Sequence, residues 1–379
     1  MKGSIRKRGA SSWELTIDLG YDAQGHRQRK FVTVRGTKKQ ADAKLREILA
    51  EHDKGMPLST VKMMVAEYAE QWLENYAMVK TRPRTYQGYA YLLHKYVLPY
   101  VGHILITKLQ PTDIEAMQDQ LRKQGLSPQT VLHAYRVLKE MLGHALSRGV
   151  IYRNPADAVE PPRVPLKEHR VPNPKAIKRF LALIEDSGYH ALFTFLAASG
   201  CRRGEALGLR WQDLNLQAGT ASIVQTVQRI TGRGVIIQPP KTKAGRRAIP
   251  LDTETVGILR THRAKQMAHR LRCGDAYEDH DLVFPGPFGE PLDPDVPTHV
   301  FRRLADRAGL KGVRLHDLRH FHATAMLEAG VHLKVVQERL GHSTVGVTGN
   351  IYSHVTPGLQ KEAVEAFAAL MKMAAADTT

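Results

Sequence analysis

The first part of the chain alternates apolar and polar residues, a period of two that is typical of β-strands with one buried face. The alternation runs from Trp13 to Leu19, and a second strand is indicated from Arg29 to Arg35. Thr37 and Gln40 then form a capping-box pattern that starts an amphipathic helix. We predict that residues 1–56 form a small α+β domain, a three-stranded sheet plus one helix.

A different period governs the next hundred residues, where apolar positions repeat at i, i+3, i+4 and i+7. The repeat is clear from Val65 to Tyr76 and again from Tyr89 to Tyr96, and Ser127-Pro128 opens a further helix that reaches about Arg148. We predict a four-helix, all-α bundle for residues 57–166. Several prolines between Pro155 and Pro174 indicate a stiff, extended linker after the bundle.

The remaining residues, 167–379, mix both patterns and form the largest region. Helices are predicted near 175–185, 189–199, 253–272, 297–308, 316–329 and 331–340. Between them, residues 220–250 are predicted to form an antiparallel hairpin with strands at Ile223-Val224, Val235–Ile237 and Arg247–Leu251. The expected fold is a mixed, mainly α domain with a small antiparallel sheet.

The net charge of the chain narrows the range of functions that it can have. Lys and Arg number 55 against 37 Asp and Glu, a formal net charge of +18, and the excess is present in all three regions. A polyanion that contacts every domain is the simplest partner, and the alternative is a basic surface kept for solubility. Two cysteines exclude a disulfide-stapled secreted scaffold. No signal peptide and no apolar run of about 18 residues is present, so we expect a cytoplasmic protein without membrane contact.

Four short stretches of the last region combine residues that suit phosphodiester chemistry. They are Ser199 to Glu205, Lys241-Thr242-Lys243, His316 to His320, and Leu340-Gly341-His342 with Tyr352 ten residues later. Guanidinium groups match the non-bridging oxygens of a phosphodiester and stabilise the charge of a pentavalent transition state. A tyrosine hydroxyl, with a pKa of about 10, becomes a nucleophile when cations lower that pKa, and it can then form a covalent intermediate.

The order G-x-R-x-x-E, K-T, H-x-x-R, L-G-H and then a tyrosine resembles the tyrosine recombinase, or phage integrase, family. The resemblance covers the whole chain. It implies that residues 1–56 are an arm-type DNA-binding domain, residues 57–166 a SAM-like core-binding domain, and residues 167–379 the catalytic domain. The implied function is site-specific recombination that integrates or excises a phage or another mobile element.

The resemblance also implies a role for seven positions, Arg202, Glu205, Lys241, His316, Arg319, His342 and Tyr352. The two arginines would clamp the scissile phosphate, and the two histidines would hydrogen-bond it and help to handle protons. Lys241 would protonate the leaving 5′-oxygen, and Glu205 would orient the arginine side of the pocket. Tyr352 would attack phosphorus and form a 3′-phosphotyrosyl bond. Neither ATP, nor a metal, nor any other cofactor is implied.

Several of these assignments have an alternative. Arg203 competes with Arg202, although the spacing to the flanking glycine and glutamate favours Arg202. Lys243 competes with Lys241, because both lie in the same polar turn. Glu205 is equally well explained as a carboxylate favoured by the dipole at a helix start. The tyrosines of the helical region are expected in its core or on the DNA backbone rather than as nucleophiles.

The same resemblance points to partners. Double-stranded DNA is expected at core and arm attachment sites, with Arg27, Arg29, Lys30, Arg35 and Lys243 as DNA-binding residues. Two DNA-binding regions on one chain would bridge distant sites. A C-terminal helix, from Leu359 to Met373, would dock on a neighbouring protomer in a homotetramer on synapsed DNA, or cover its own domain. An excisionase or a DNA-bending protein is a further expected partner.

Three other functions compete. His316-Asp317-x-x-His320 is similar to the H-E-x-x-H pattern of zinc hydrolases, but Arg319 would crowd a cation and no third ligand is evident. A type IB topoisomerase-like strand transferase would use similar chemistry, without a use for an arm domain. A non-catalytic DNA-binding regulator would not need the full set of residues.

Overall fold

The computed structural model describes residues 3–21, 27–53, 62–165, 171–240 and 242–344, and further along residues 346, 349, 364, 365, 367 and 368. The chain divides into two compact units, Met1–Leu166 and Lys167–Thr379. The first unit holds two separate hydrophobic cores, one in the N-terminal sheet and one among the helices. A domain boundary at residue 56 stays a prediction. Among the helices of the described residues, none combines the length and apolar character that a membrane span requires.

The N-terminal part is a three-stranded antiparallel sheet covered by one helix, as the period of two predicted. Strands β1 (Gly3–Gly9), β2 (Ser12–Tyr21) and β3 (Arg27–Arg35) lie in that order, and α1 (Lys38–Asp53) packs on one face. Leu15 and Ile17 of β2 are fully buried there. The alternation pattern located β2 and β3, whereas β1 has no such pattern.

The predicted capping box is present at the start of α1. The Thr37 N–H donates to Gln40 Oε1 at 2.8 Å, and the Gln40 N–H donates to Thr37 Oγ1 at 3.3 Å. On the opposite face of the sheet, Phe31 is 60% exposed in β3, between the exposed Arg29 and Thr33. This face therefore presents an aromatic side chain among polar and basic ones.

The second part of this unit is the predicted four-helix bundle. Its helices are α2 (Val65–Trp72, extended by a π-helical turn Leu73–Ala77 and by Met78–Lys80), α3 (Pro83–Leu92, extended by a π-helical turn Leu93–Val97 and by Leu98–Val101), α4 (Pro111–Lys123) and α5 (Pro128–Ser147). Trp72 stacks between Tyr76 and Tyr89, at ring-centroid distances of 5.9 and 5.4 Å. These tyrosines have packing roles, as expected.

The linker prediction needs a correction at its first proline. Pro155–Ala158 is a 3₁₀ turn whose Pro155 and Ala156 are buried against the bundle. The Tyr135 hydroxyl contacts the carbonyl oxygens of Ala156 and Val159 at 2.8 and 3.0 Å, which fastens this turn to α5. The bundle therefore extends past residue 155, because the tyrosine satisfies carbonyl groups that a linker would leave to water.

The second unit contains seven helices within the described residues. They are α6 (Pro174–Leu183), α7 (His190–Ser199), α8 (Arg203–Leu207), α9 (Thr253–Cys273), α10 (Asp295–Arg307), α11 (Asp317–Glu328) and α12 (Leu333–Leu340). Phe180, Phe193 and Phe301 meet at its centre, where Phe301 lies edge-on to both others at 5.2 and 5.3 Å. Six of these helices match the predicted ones to within a few residues, and α8 begins at the helix start predicted near Glu205.

The predicted single hairpin over 220–250 is wrong. Strands β4 (Leu214–Asn215), β5 (Thr220–Ile223) and β8 (Arg247–Pro250) form one sheet, and β6 (Thr226–Ile230) pairs with β7 (Gly234–Gln238) in another. The break falls at Gln225, whose side-chain amide donates to the Gly208 carbonyl at 2.9 Å. That bond lies where the chain passes from the first sheet to the second. Consequently Thr242 and Lys243 lie in a connection between two sheets and not in a hairpin turn.

The predicted C-terminal helix, Leu359 to Met373, lies mostly outside the described residues. Residues 364, 365, 367 and 368 are helical, and Val364 and Phe367 are 68% and 66% exposed.

Candidate active site

Arg202 is held by the carboxylate of Glu205 at the start of α8. The Arg202 backbone N–H donates to Glu205 Oε2 at 3.0 Å, and its guanidinium Nη1–H donates to Oε1 at 2.8 Å. Glu205 is buried, with 4% of its surface exposed, whereas the Arg202 side chain keeps 43% exposed. Glu205 therefore both caps the helix and orients Arg202. The outer side of the Arg202 guanidinium stays open to solvent.

Arg247, at the start of β8, is a second cation on the same carboxylate. Its Nη2–H donates to Glu205 Oε2 at 2.8 Å, and its side chain is only 8% exposed. Its Nε–H donates to the Arg339 carbonyl at 2.6 Å and its Nη1–H to the Gly245 carbonyl at 3.1 Å. One buried side chain thus joins the connection before β8, the end of α12 and the helix start that carries Arg202.

Arg319 lies in the first turn of α11 and is 4% exposed. Its Nη1–H donates to the Gly200 carbonyl at 2.7 Å, and its Nη2–H donates to the Leu340 carbonyl at 2.8 Å. Arg202 Nη2 contacts the Gly341 carbonyl at 3.4 Å. The two arginines therefore meet at the segment that begins with Leu340.

These contacts occur where two helices end side by side. The last carbonyl groups of a helix have no partner within it, and here arginines supply the partners for both α7 and α12. Each helix ends in a left-handed glycine, Gly200 with φ 66° and Gly341 with φ 67°. A Cβ on Gly341 would lie 2.8 Å from Arg247 Nη1, so a side chain there would displace the arginine.

Burial and mutual charge set the protonation states of this cluster. Burial raises the pKa of the Glu205 carboxyl, but Arg247 and Arg202 more than offset that effect and hold the pKa below its ordinary value. Burial and the neighbouring Arg202 lower the pKa of Arg319 to about 10. At neutral pH, Glu205 is therefore ionised and Arg319 is charged.

His342 follows the left-handed glycine that ends α12 and is 7% exposed. Its backbone is fixed from both sides, because its N–H donates to the Gln337 carbonyl at 3.1 Å and its carbonyl accepts the Gln337 side-chain amide at 2.6 Å. Burial, followed by the charges of Arg319 and Arg202, lowers the pKa of His342 to about 4. The ring is therefore neutral at pH 7 beside both arginines.

His316 occupies the N-cap position of α11, one turn before Arg319, and its side chain makes no capping hydrogen bond. The residue as a whole is exposed at the surface. Burial of the ring against its neighbours, then the charges of His320 and Arg319, lower the pKa of His316 to about 4. The His316 ring meets the His320 ring edge-on at 5.0 Å. His316 and His342 thus both sense the positive charge of Arg319.

Other sequence candidates lie elsewhere. Arg203 contacts Thr298 through a short hydrogen bond and Asp295 at 3.5 Å, on the α10 side of α8. Lys241 and Tyr352 lie outside the described residues, and so does the side chain of Lys243. Cys201 is buried, as expected of a packing residue, and burial raises its pKa to about 11.

The zinc-site alternative requires a cluster of metal ligands. In the described part of the chain, no group of three or more His, Cys, Asp or Glu side chains is placed to hold a metal ion. Asp317, which would stand for the glutamate of that pattern, accepts Arg314 Nη2–H at 2.8 Å and the Arg314 backbone N–H at 2.8 Å. It therefore caps the start of α11.

Among the predicted DNA-binding residues, Arg29 and Arg35 are exposed on β3. The side chains of Arg27 and Lys30 lie outside the described residues, although both positions belong to the same strand. On β1, Arg8 pairs with Glu14 of β2 at 3.1 Å, and Asp18 of β2 lies opposite Arg29 in the sheet register.

Sequence reasoning missed three residues of the cluster, namely Arg247, Arg339 and His322. Arg247 had one usable signal, since it shares the inward register of β8 with the buried Ile249. An arginine at an inward strand position must find partners for its charge. The other two carry no local signal, because their partners, apart from each other, are backbone carbonyls more than 80 residues away.

The arrangement suits the binding of a tetrahedral oxyanion. Two guanidinium groups with donors already fixed by carbonyl and carboxylate partners stand beside two neutral imidazoles. Preorganised donors of this kind stabilise charge that develops in a transition state, with little reorganisation. A neutral imidazole can donate to a phosphate oxygen at one nitrogen and accept a proton at the other.

Two family models match the chain. The phage integrase family matches residues 173–358, and the SAM-like N-terminal domain of phage integrases matches residues 64–122. Among curated proteins, a tyrosine recombinase XerC-like protein of Caldanaerobacter subterraneus subsp. tengcongensis is 27% identical, with 96% of this chain and 97% of that protein covered. The ICEBs1 integrase of Bacillus subtilis is 24% identical, with 95% and 97% covered.

Solved structures give the same fold. The Tn1549 transposon integrase in complex with transposon right-end DNA superposes with a TM-score of 0.71 at 22% identity, covering 81% of this chain and all of that one. A lambda integrase dimer bound to a COC′ core site superposes with a TM-score of 0.58 at 14% identity, covering 92% and 94%.

Proposed function

The chain belongs to the phage integrase family, and from that premise we propose that it is a site-specific DNA recombinase that cleaves and rejoins strands through Tyr352. One observation carries the catalytic proposal. Arg202, Arg319 and His342, which come from three distant parts of the sequence, surround one buried carboxylate–arginine pair in the second unit. Such a pocket of fixed donors fits a scissile phosphate.

The chemical step is an exchange of esters. The Tyr352 oxygen attacks phosphorus, a P–O bond to tyrosine forms, and the P–O5′ bond breaks. The leaving 5′-oxygen takes a proton from Lys241, and the tyrosine proton passes to a neighbouring base. The product is a 3′-phosphotyrosyl bond and a free 5′-hydroxyl. Attack by the 5′-hydroxyl of another strand reverses the step, and because bond energy is conserved, rejoining needs no ATP.

Within this scheme the described residues have separate tasks. Arg202 and Arg319 bind the two non-bridging oxygens, and Glu205 fixes the first of these arginines. His342 and His316, both neutral at pH 7, hydrogen-bond the phosphate, and one of them accepts the tyrosine proton. A neutral imidazole has a free nitrogen that can accept that proton, whereas an imidazolium has none, and the negative charge of a bound phosphate would raise the lowered pKa of the ring.

The substrate proposed is double-stranded DNA at the attachment sites of a mobile element. Named relatives include the ICEBs1 integrase and the integrase of the transposon Tn1549. The exposed face of the N-terminal sheet, with Arg29, Phe31 and Arg35, is proposed to bind arm sites in a major groove. The bundle and the catalytic unit would then bind core sites.

Assembly into a tetramer is the next part of the proposal. A lambda integrase tetramer bound to a Holliday junction has the same fold, with a TM-score of 0.56. The C-terminal segment, in which Val364 and Phe367 are exposed, is proposed to dock on a neighbouring protomer. Deletion of residues 358–379 should then preserve DNA binding and reduce recombination. An excisionase or a DNA-bending protein would set the direction of the reaction.

A covalent adduct tests the function directly. The probe is a nicked duplex that carries the core site, obtained by sequencing the junctions of the element that encodes the chain. A denaturing gel should resolve a protein–DNA adduct with the wild-type protein and none with Tyr352→Phe. Binding without an adduct would favour a DNA-binding regulator, and an adduct abolished by EDTA would favour a metal-dependent enzyme.

A further inference from the structure

A pair formed by the partly buried Arg339 and the buried His322 lies behind the site and has no part in the scheme above. Arg339, in the last turn of α12, donates Nε–H to His322 Nε2 at 2.9 Å. His322, on α11, is 8% exposed. The same guanidinium donates Nη1–H to the Pro250 carbonyl at 3.0 Å and Nη2–H to the Ala198 carbonyl at 2.9 Å.

The partners of His322 fix its tautomer. A guanidinium Nε–H is always a donor, so His322 Nε2 must accept and the ring proton must sit on Nδ1. His322 Nδ1 lies 3.0 Å from the Ala197 carbonyl, to which it therefore donates. Burial, followed by the charge of Arg339, lowers the pKa of His322 to about 4. The ring is therefore neutral and held at both nitrogens.

Each contact of the pair ends on a segment that carries a site residue. Ala197 and Ala198 end α7, a few residues before Arg202, and Pro250 ends the strand that carries Arg247. Arg339 itself stands three residues before His342. The pair thus determines how far apart these segments lie.

Gly200 shows how closely the ring is packed. A Cβ on Gly200 would lie 2.6 Å from His322 Cδ2 and 2.9 Å from Leu340 Cδ2, so the α7 end, the ring and α12 touch directly. A change in the ring or in its arginine partner must shift the backbone that leads to Arg202. No flexible segment separates the His322 ring from that backbone.

We propose that Arg339 and His322 are positioning residues for strand cleavage, which set the separation between the Arg202 and His342 segments without touching DNA. The inference rests on the proposed function. A misplacement of about 1 Å costs on the order of 100-fold in rate when reacting groups must be aligned. The loss should therefore appear in the cleavage step and not in DNA binding.

The test measures adduct formation by the full-length protein on the nicked core-site duplex at saturating DNA. His322→Leu and Arg339→Met should each slow the adduct by about 100-fold, while the DNA concentration at half-saturation stays unchanged. His322→Gln should recover most of the rate, because a side-chain amide can accept from Arg339 and donate to Ala197. Arg339→Lys should stay slow, because one ammonium group does not reproduce a planar fork with three acceptors.

Two readouts separate positioning from other roles. On DNA with a 5′-bridging sulfur, Arg339→Met should be slowed by the same factor as on ordinary DNA, because the pair protonates no leaving group. In ¹⁵N-edited NMR spectra, wild-type His322 should show the Nδ1–H tautomer, and Arg339→Met should raise its pKa, because a neighbouring positive charge is removed. The control is His262→Leu, which removes a partly buried histidine of the same unit, bonded to the Val283 carbonyl at 2.6 Å.

The inference is overturned if folded His322→Leu and Arg339→Met proteins form the adduct at the wild-type rate, or are slowed no more than His262→Leu. If those variants do not fold, the conservative variants His322→Gln and Arg339→Lys provide the test. Equal rates of adduct formation for these two would also overturn the inference. Absence of an adduct with the wild-type protein would instead remove the proposed function.

Discussion

Arg247 and Glu205 form an ion pair of 2.8 Å in which the two side chains are only 8% and 5% exposed. Neither residue faces a ligand directly, yet Glu205 also holds Arg202, so the pair joins the fold to the site. Removal of one partner of a buried pair leaves an uncompensated charge, which is more damaging than loss of both.

We therefore expect Arg247→Met to lower the free energy of unfolding by about 3 kcal/mol. The Arg247→Met, Glu205→Gln double variant should lose less than the sum of the two single changes, because the two side chains interact directly. Urea unfolding followed by circular dichroism measures both quantities. Arg303→Met, on the exposed face of α10, is the matched control and should be nearly neutral. Additive losses would contradict the pairing.

Stability should also depend on pH through His322 and His342. The pKa of each is lowered to about 4 in the folded chain, whereas a histidine in an unfolded chain has a pKa of about 6.5. Between these values the unfolded chain binds more protons, so the free energy of unfolding falls as the pH drops from about 7 to 4. His322→Gln and His342→Gln should each flatten this slope.

Arg202 and Arg203 are adjacent but face different partners, so their replacement should have unequal effects. Arg202→Ala removes the guanidinium held open by Glu205 and should slow adduct formation by about 100-fold to 1,000-fold. Arg203→Ala removes contacts to Thr298 and Asp295 and should slow it by less than about tenfold. Adduct yield against time on the nicked duplex measures both. The reverse order would assign the catalytic role to Arg203.

The identity of the general acid can be tested with sulfur. An alkoxide leaves badly, since its conjugate acid has a pKa of about 16, whereas a thiol with a pKa of about 8.5 leaves without a proton donor. Lys241→Ala should therefore be slow on ordinary DNA and largely restored on a 5′-thio substrate. Lys243→Ala is the control, and rescue of that variant alone would move the role there. Arg319→Ala should gain little from sulfur, and Tyr352→Phe should stay inactive on both substrates.

The N-terminal sheet should be separable from cleavage. A truncated protein that begins at Met56 should still form the adduct on core DNA and lose binding to arm-site DNA. Within the full chain, Arg29→Ala and Arg35→Ala should each reduce the salt dependence of arm-site binding by about one ion. Binding isotherms at several salt concentrations provide the slope. Full recombination by the truncated protein at low concentration would exclude bridging of two sites.

Sequence patterns predicted the fold class and most helices of this chain, because a capping box or an apolar stripe is a local signal. Thr37 with Gln40 is one case, and the helix after Ser127 is another. The strands near Gln225 were joined wrongly, since the interruption depends on a bond to Gly208 in another element. A local alternation cannot reveal a bond of that kind.

Prediction of the candidate site from the sequence had a similar limit. The spacing of the four motifs singled out Arg202, Arg319 and His342, which the structure brings into one cluster. The sequence analysis did not identify Arg339 and Arg247, because their role depends on the backbone oxygens that they contact only in the folded chain. Those carbonyl oxygens are available to the arginines because two helices end side by side. No single segment of the sequence reveals that arrangement.

The paired helix ends have a consequence for the protein before it meets DNA. Several cations stand close together, and their repulsion would drive the loops apart in an empty pocket. The C-terminal ends of α7 and α12 carry partial negative charge, and their carbonyl oxygens accept from Arg202, Arg247, Arg319 and Arg339. The chain thus supplies its own internal counter-ion. The partial negative charge of the two helix ends therefore offsets part of the repulsion among the arginines without a bound anion.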